Sequence, residues 1–137
     1  MNLGKNTPIV QEAYQRFESG DIEGILELLS DDIDWTVPEI ENAPFKGLRH
    51  GRKAVSDFLD LLAITEEITD FEAREFIEQG DKVVVLGRTT STVRSTGRHY
   101  STEWVHVCTL KDGKMTGFHE FYDTAAATRA FQKATTA

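Results

Sequence analysis

Residues 99–123 read HYSTEWVHVCTLKDGKMTGFHEFYD. Two apolar-rich runs flank Lys111-Asp112-Gly113-Lys114. Asp-Gly between such runs predicts a β-hairpin, because its turn needs positive φ values that Asp and Gly tolerate. Trp104, His106, His119, Glu120 and Tyr122 interrupt the apolar pattern. Titratable groups in a hydrophobic sheet either face water or line a pocket. The length of the turn decides which, since a one-residue slip reverses every side chain on a strand. A three-residue turn pairs Leu110 with Lys114 and His106 with Phe118. Trp104 and Glu120 then lie opposite one another, and His106, Phe118, Glu120 and Tyr122 share a face. A two-residue turn pairs His106 with His119 and sends Glu120 outward. The first register is the expectation, with Phe118 and Tyr122 inward and Met115 and Phe121 on the outer face.

Working outward, Val83–Val93 is β-branched and predicts a long strand. The turns Gln79-Gly80-Asp81 and Arg94–Arg98 bound it. Ile68 to Ile77 forms the strand before it, so four strands run as a meander. Upstream, Thr7-Pro8 suits a helix start, and Ile9, Ala13, Tyr14 and Phe17 lie on one stripe. Asp21 caps a second helix that carries Ile22, Ile25, Leu26, Leu28 and Leu29. Ile33, Trp35 and Val37 alternate as a short strand closed by Pro38. Residues 38–50 read as a loop. Gly51 opens a third helix with a wide apolar arc, including Phe58, Leu59 and Leu62. Asp123-Thr124 caps a last helix from Ala125 to about Lys133. Helices segregated from a mainly antiparallel sheet define an α+β class.

The chain has 137 residues, 39% hydrophobic and 28% charged, which fits one domain with a sizeable core. A net charge of -8 argues against nucleic acid as a partner. No apolar run reaches the roughly 20 residues of a membrane span. The N-terminal residues turn amphipathic too early for a signal peptide. Cys108 is the single cysteine, which excludes an internal disulfide and a cysteine-based zinc site. The expected location is the cytoplasm. His50, His99 and His119 lack metal-ligand spacing with carboxylates, so no metal is expected, and His99 and Tyr100 are expected to be exposed beside a turn.

Three strings resemble the nuclear transport factor 2-like superfamily: FESGDIEGILELLSDDIDW, GLRHGRKAVSDFL and CTLKDGKMTGFHEFYDT. Their order is most similar to the SnoaL-like polyketide cyclase and ketosteroid isomerase-related branch. The resemblance implies a cone-shaped barrel: a strongly curved, mainly antiparallel sheet wrapped by about three helices around an apolar cavity. It also implies a homodimer formed through the sheet. Ketosteroid isomerases place a general-base Asp just past the first strand; that position falls at or next to Val37. The nearest acids are Asp34, pointing away from Trp35's side, and Glu39, beyond Pro38, which counts against steroid isomerisation. The oxyanion tyrosine position falls near Ala13, one residue from Tyr14, and a second acid position falls at about His106.

The expected catalytic residues are therefore His106 and Glu120. An imidazole exchanges protons near neutral pH. SnoaL-like cyclases carry a carboxylate on the last strand paired with a histidine on the preceding one. Tyr14, Trp35, Phe58, Leu62, Phe76, Trp104, Phe118 and Tyr122 are expected to line the cavity. The expected activity is cofactor-free isomerisation or cyclisation of a small apolar cyclic or polyketide-like molecule through an enolate. A non-catalytic binding domain and a hydrolase or dehydratase using Arg88 are the alternatives.

Overall fold

The structure, a computed structural model, describes residues 4–45 and 47–133. Its elements follow in the order α1 (Thr7–Glu18), α2 (Ile22–Glu27), β1 (Leu29–Thr36), β2 (Leu48–His50), α3 (Arg52–Thr65), β3 (Glu66–Gln79), β4 (Lys82–Val93), β5 (His99–Lys111), β6 (Lys114–Tyr122) and α4 (Thr124–Phe131). One six-stranded sheet has the order β2-β1-β6-β5-β4-β3. Among the described residues only β1 and β6 pair in parallel; the other neighbours are antiparallel. The expected α+β class and four-strand meander are both present.

Local chemistry differs from expectation at four places. Thr7 does not cap α1. Asn6 occupies the N-cap position without a side-chain bond, and the carboxylate of Glu78 accepts from the Thr7 backbone N–H at 2.7 Å and its hydroxyl at 2.6 Å. A strand residue 71 positions away thus satisfies a helix end. Helix α2 stops at Glu27 rather than Leu29. The carbonyls of Glu27 and Leu28 accept bonds from Lys114 Nζ and Met115 N, so β6 draws this stretch out of the helix. The 38–50 segment is not all loop. Leu48–His50 pairs antiparallel with Asp34–Thr36, and the buried Ile40 and Phe45 anchor the remainder. Lys46, inside that segment, lies outside the described residues. Helix α4 ends at Phe131, two residues short of expectation.

The hairpin resolves in a way neither expected register contained. Its turn takes two residues, with Lys111 opposite Lys114 and Leu110 opposite Met115. The ladder then shifts, and Thr109 faces Gly117, leaving Thr116 as an extra residue. This β-bulge restores the parity that a two-residue turn alone would reverse. Beyond it Cys108 faces Phe118, His106 faces Glu120, and Trp104 faces Tyr122. The expected face is therefore correct, whereas the expected pairs are not. Met115 precedes the bulge and is buried inside, 3% exposed, contrary to its expected place on the outer face. Phe121 is on the outside, as expected, 48% exposed.

Close packing of β4 on β5 sets the floor of the inner face. Gly87 lies opposite Trp104, and a Cβ at Gly87 would collide with the Trp104 ring and the Glu72 carbonyl. The missing side chain lets the indole lie flat on the neighbouring strand. Helix α1 then brings Tyr14 over that indole, with parallel rings 5.9 Å apart.

Candidate functional site

Residues of β1, β3, β4, β5 and β6, together with α1, α2 and α3, line a pocket of about 140 Å³. Tyr14 from α1, Trp104 and His106 from β5, and Glu120 and Tyr122 from β6 all line it. Trp35, Phe58, Leu62 and Phe118 complete the apolar side, with the Trp35 and Phe118 rings stacked at 3.8 Å across the parallel β1–β6 pair. Phe76 is the exception among the expected residues. It packs edge-on against Tyr14 at 5.8 Å, behind the ring rather than in the pocket wall. Two bulges in β3, after Ile68 and after Ala73, displace the strand's alternation, and Phe71 takes the lining position.

Within the pocket, three side chains form a chain of hydrogen bonds. The Tyr14 hydroxyl lies 2.5 Å from His106 Nδ1, and His106 Nε2 lies 2.9 Å from Glu120 Oε2. Residues 92 positions apart in sequence thus meet at one imidazole. His106 is 5% exposed and is stacked on Trp104 at 4.0 Å, so its ring has one available plane. Burial, with the nearby Cys108 and the charge of Glu120, holds the Tyr14 phenol well above its ordinary pKa. Tyr14 therefore remains protonated; with its hydroxyl donating to Nδ1, Nε2 carries the proton and donates to Glu120. Burial also pushes the Cys108 thiol up to about 12, so it stays a neutral packing group.

Tyr122 supplies a further donor. Its hydroxyl has no hydrogen-bond partner among the described residues, and burial followed by the charges of Glu120 and Glu66 raises its pKa. It stays protonated and faces the pocket beside Glu120.

Tyr100 and Glu66 line the pocket without having been singled out in the sequence. Tyr100, expected to be exposed, is the second residue of β5 and shares the parity of Trp104 and His106. Its hydroxyl donates to Glu66 Oε1 at 2.5 Å, and Ser91 Oγ donates to the same oxygen at 2.7 Å. Glu66 is only 6% exposed and had no distinguishing signal, since Glu66-Glu67 after a helix reads as a solvated pair. Conversely, the acids nearest the ketosteroid isomerase base position stay out. Asp34 points outward to His50 Nδ1 at 2.8 Å, and Glu39 accepts from the Gly47 N–H at 3.1 Å. Arg88, which the hydrolase alternative needed, also faces outward and pairs with Asp70 at 2.7 Å.

Burial raises the Glu66 carboxyl pKa against the opposing bonds from Tyr100 and Ser91. An acid whose folded pKa exceeds its unfolded value binds its proton more tightly in the native state. Its contribution to stability is full below the unfolded value and is lost as pH rises through the folded one. Glu66→Gln removes this titration. Urea midpoints from about pH 4 to about pH 8 should therefore shift progressively in the variant's favour relative to the parent. A difference that does not change with pH contradicts this.

Among the described residues, no group of three or more His, Cys, Asp or Glu side chains is arranged to hold a metal ion, and no helix is long and apolar enough to cross a membrane.

Comparison with known proteins places this geometry in context. The SnoaL-like domain family matches residues 10–118. An NTF2-like protein from Burkholderia xenovorans LB400 is 32% identical, with a TM-score of 0.85 over 96% of this chain and 99% of that one. One from Burkholderia pseudomallei K96243 is 30% identical, with a TM-score of 0.85 over 95% and 99%. TerC, co-crystallised with polyporic acid, is 31% identical, with a TM-score of 0.83 over 93% and 98%. No curated protein matches the sequence.

Proposed function

The chain belongs to the SnoaL-like domain family of the nuclear transport factor 2-like superfamily, and on that premise we propose that it binds a small apolar cyclic or polyketide-like molecule and catalyses enolate chemistry on it without a cofactor. In this reading the sheet curves into a cone around the pocket, and the reaction is isomerisation or cyclisation in the cytoplasm. The observation that carries the proposal is the partly buried Tyr14–His106–Glu120 chain in a largely apolar pocket.

Each group takes one task. Glu120 removes a proton from the carbon beside a ligand carbonyl. His106 Nε2–H orients that carboxylate, and Tyr14 fixes the imidazole's tautomer. Tyr122 donates to the enolate oxygen as charge moves onto it. Returning the proton from Glu120 to a different carbon completes an isomerisation; attack of the enolate carbon on a second carbonyl, with the proton passed from Glu120 to the alkoxide formed, completes a cyclisation. The similarity to TerC, whose structure was determined with polyporic acid, supports an oxygenated ring compound as the ligand class. Among the described residues no arginine lines the pocket, and this, with the position of Glu120 inside it, favours this chemistry over hydrolysis.

The test is deuterium exchange beside the carbonyl of 1-tetralone in D₂O, followed by NMR. The chain should accelerate exchange above buffer. Binding of the ketone without exchange would leave a non-catalytic binding domain as the function.

Two copies would meet through the outer face of the sheet, where Phe121 and His119 stack at 4.2 Å and stand exposed. Sedimentation equilibrium should give twice the chain mass of 15.4 kDa, and a value equal to that mass overturns the pairing.

A further inference from the structure

Glu66 is a buried carboxylate that the proposed proton transfer leaves idle. It opens β3, beside Ser91 on β4 and Tyr100 on β5, and it lines the same pocket as Glu120. Both of its hydrogen bonds fall on one oxygen: Tyr100 and Ser91 donate to Oε1. Oε2 accepts nothing among the described residues. A carboxylate oxygen left with open lone pairs in an apolar pocket is costly unless something donates to it. Burial accordingly raises the group's pKa, and the two bonds to Oε1 offset this only in part.

Position adds a second argument. Tyr100 and His106 have the same parity on β5, six residues apart. At about 3.3 Å per residue their Cα atoms lie up to about 20 Å apart along the strand. Between them lie Trp104 and, from β6, Tyr122. Carboxylates thus sit toward both ends of the pocket, with the Trp104 indole and the Tyr122 ring between them.

We infer that Glu66 Oε2 accepts a hydrogen bond from a ligand hydroxyl, which makes the pocket selective for a flat apolar ring system carrying oxygen functions at opposite ends. The inference rests on the reading of this pocket as the ligand site, and it names what the non-reacting end of the ligand must carry. Tyr100 and Ser91 are positioning residues: both hold Oε1 and leave Oε2 to the ligand. A ligand with one oxygen satisfies either the His106–Glu120 end or the Glu66 end, but not both.

Two probes separate the ends. 2-Naphthol carries one hydroxyl and 2,6-dihydroxynaphthalene carries two across the same rings. Their Kd values can be read from quenching of Trp35 and Trp104 fluorescence. The parent chain should bind the diol about tenfold tighter, the effect of one additional charge-assisted hydrogen bond. Glu66→Leu should abolish that preference, bringing the Kd of the diol to that of 2-naphthol in the same variant. Glu66→Gln retains an acceptor for Tyr100 and Ser91, so it guards against misfolding, and it should show a reduced preference with a cooperative urea transition that confirms a folded chain. Equal binding of the two probes by the parent, or a preference that survives both substitutions, overturns the inference. Failure of the parent to bind either probe overturns both the inference and the ligand-site reading. Loss of 1-tetralone exchange activity with an intact diol preference removes the catalytic reading alone.

Discussion

Glu120→Gln is expected to reduce the 1-tetralone exchange rate by about 10²–10⁴, the range in which a positioned general base contributes. The substitution is close to isosteric. The glutamine carbonyl still accepts from His106 Nε2–H, which lies 2.9 Å from Oε2 in the parent. The hydrogen-bond chain from Tyr14 therefore persists, and the fold loses little. What disappears is the basic oxygen, because an amide does not accept a proton at neutral pH. Unfolding measured alongside should leave the urea midpoint near that of the parent. His106→Ala reaches the same end differently. It leaves Tyr14 without its acceptor and Glu120 without its donor, and it opens a gap on Trp104 where the ring stacked at 4.0 Å. Its rate should fall by a similar factor, with a measurable loss of stability as well. Unchanged rates in both variants would remove the acid–base pair from the mechanism. A fall confined to His106→Ala would make the imidazole the base and Glu120 its support.

That pair was legible in the sequence as a possibility, and the reason it was not certain is physical. His106 and Glu120 stood out because titratable side chains in an apolar strand need an explanation. Whether they met depended on hairpin register. The Asp112-Gly113 signal correctly indicated a turn, and Asp112 and Gly113 both adopt positive φ. Two-residue closure alone would have turned Glu120 away. The extra residue Thr116 reverses that outcome, and nothing in Met115-Thr116-Gly117 marks a bulge unambiguously. The same blindness explains Phe76 and Phe71, whose strand carries two such irregularities. Where alternation runs unbroken, as from His99 to Lys111, the pattern placed Trp104, His106 and Cys108 correctly.

Glu66 shows a different limit. Its partners lie 25 and 34 positions away, on two other strands. Only the three-strand register brings Ser91 and Tyr100 to it. Likewise, the bond from Thr7 to Glu78 required the tertiary fold, whereas the caps at Asp21 and Asp123 are local and were read directly. Local chemistry was therefore recoverable wherever a side chain bonds its own turn. It was lost wherever the partner arrives from another strand.

Trp104→Ala should lower stability by about 3–5 kcal/mol, the range for truncating a buried aromatic residue to alanine. The indole is 3% exposed and lies against Tyr14, Phe71 and His106, with centroid separations of 5.9, 5.3 and 4.0 Å. Removing it takes away transfer free energy and leaves a void that these rings can fill only by leaving their planes. Gly87 offers no compensation, since it has no side chain to move into the space. One term works in the other direction. The Trp104 Nε1–H is buried without an acceptor among the described residues, so truncation also relieves an unsatisfied donor. Trp104→Phe separates the two effects: it keeps most of the stacking surface and discards the orphan donor. Its cost in urea unfolding should be well below that of alanine. If the two variants proved equally destabilised, ring contact would not be what Trp104 contributes. The exchange assay adds a functional readout. His106 loses its stacking partner in the alanine variant, so its ring can tilt and the bond to Glu120 lengthens. Activity should then fall more steeply than the fraction of folded protein does, whereas Trp104→Phe should hold the imidazole in place and retain most of the rate.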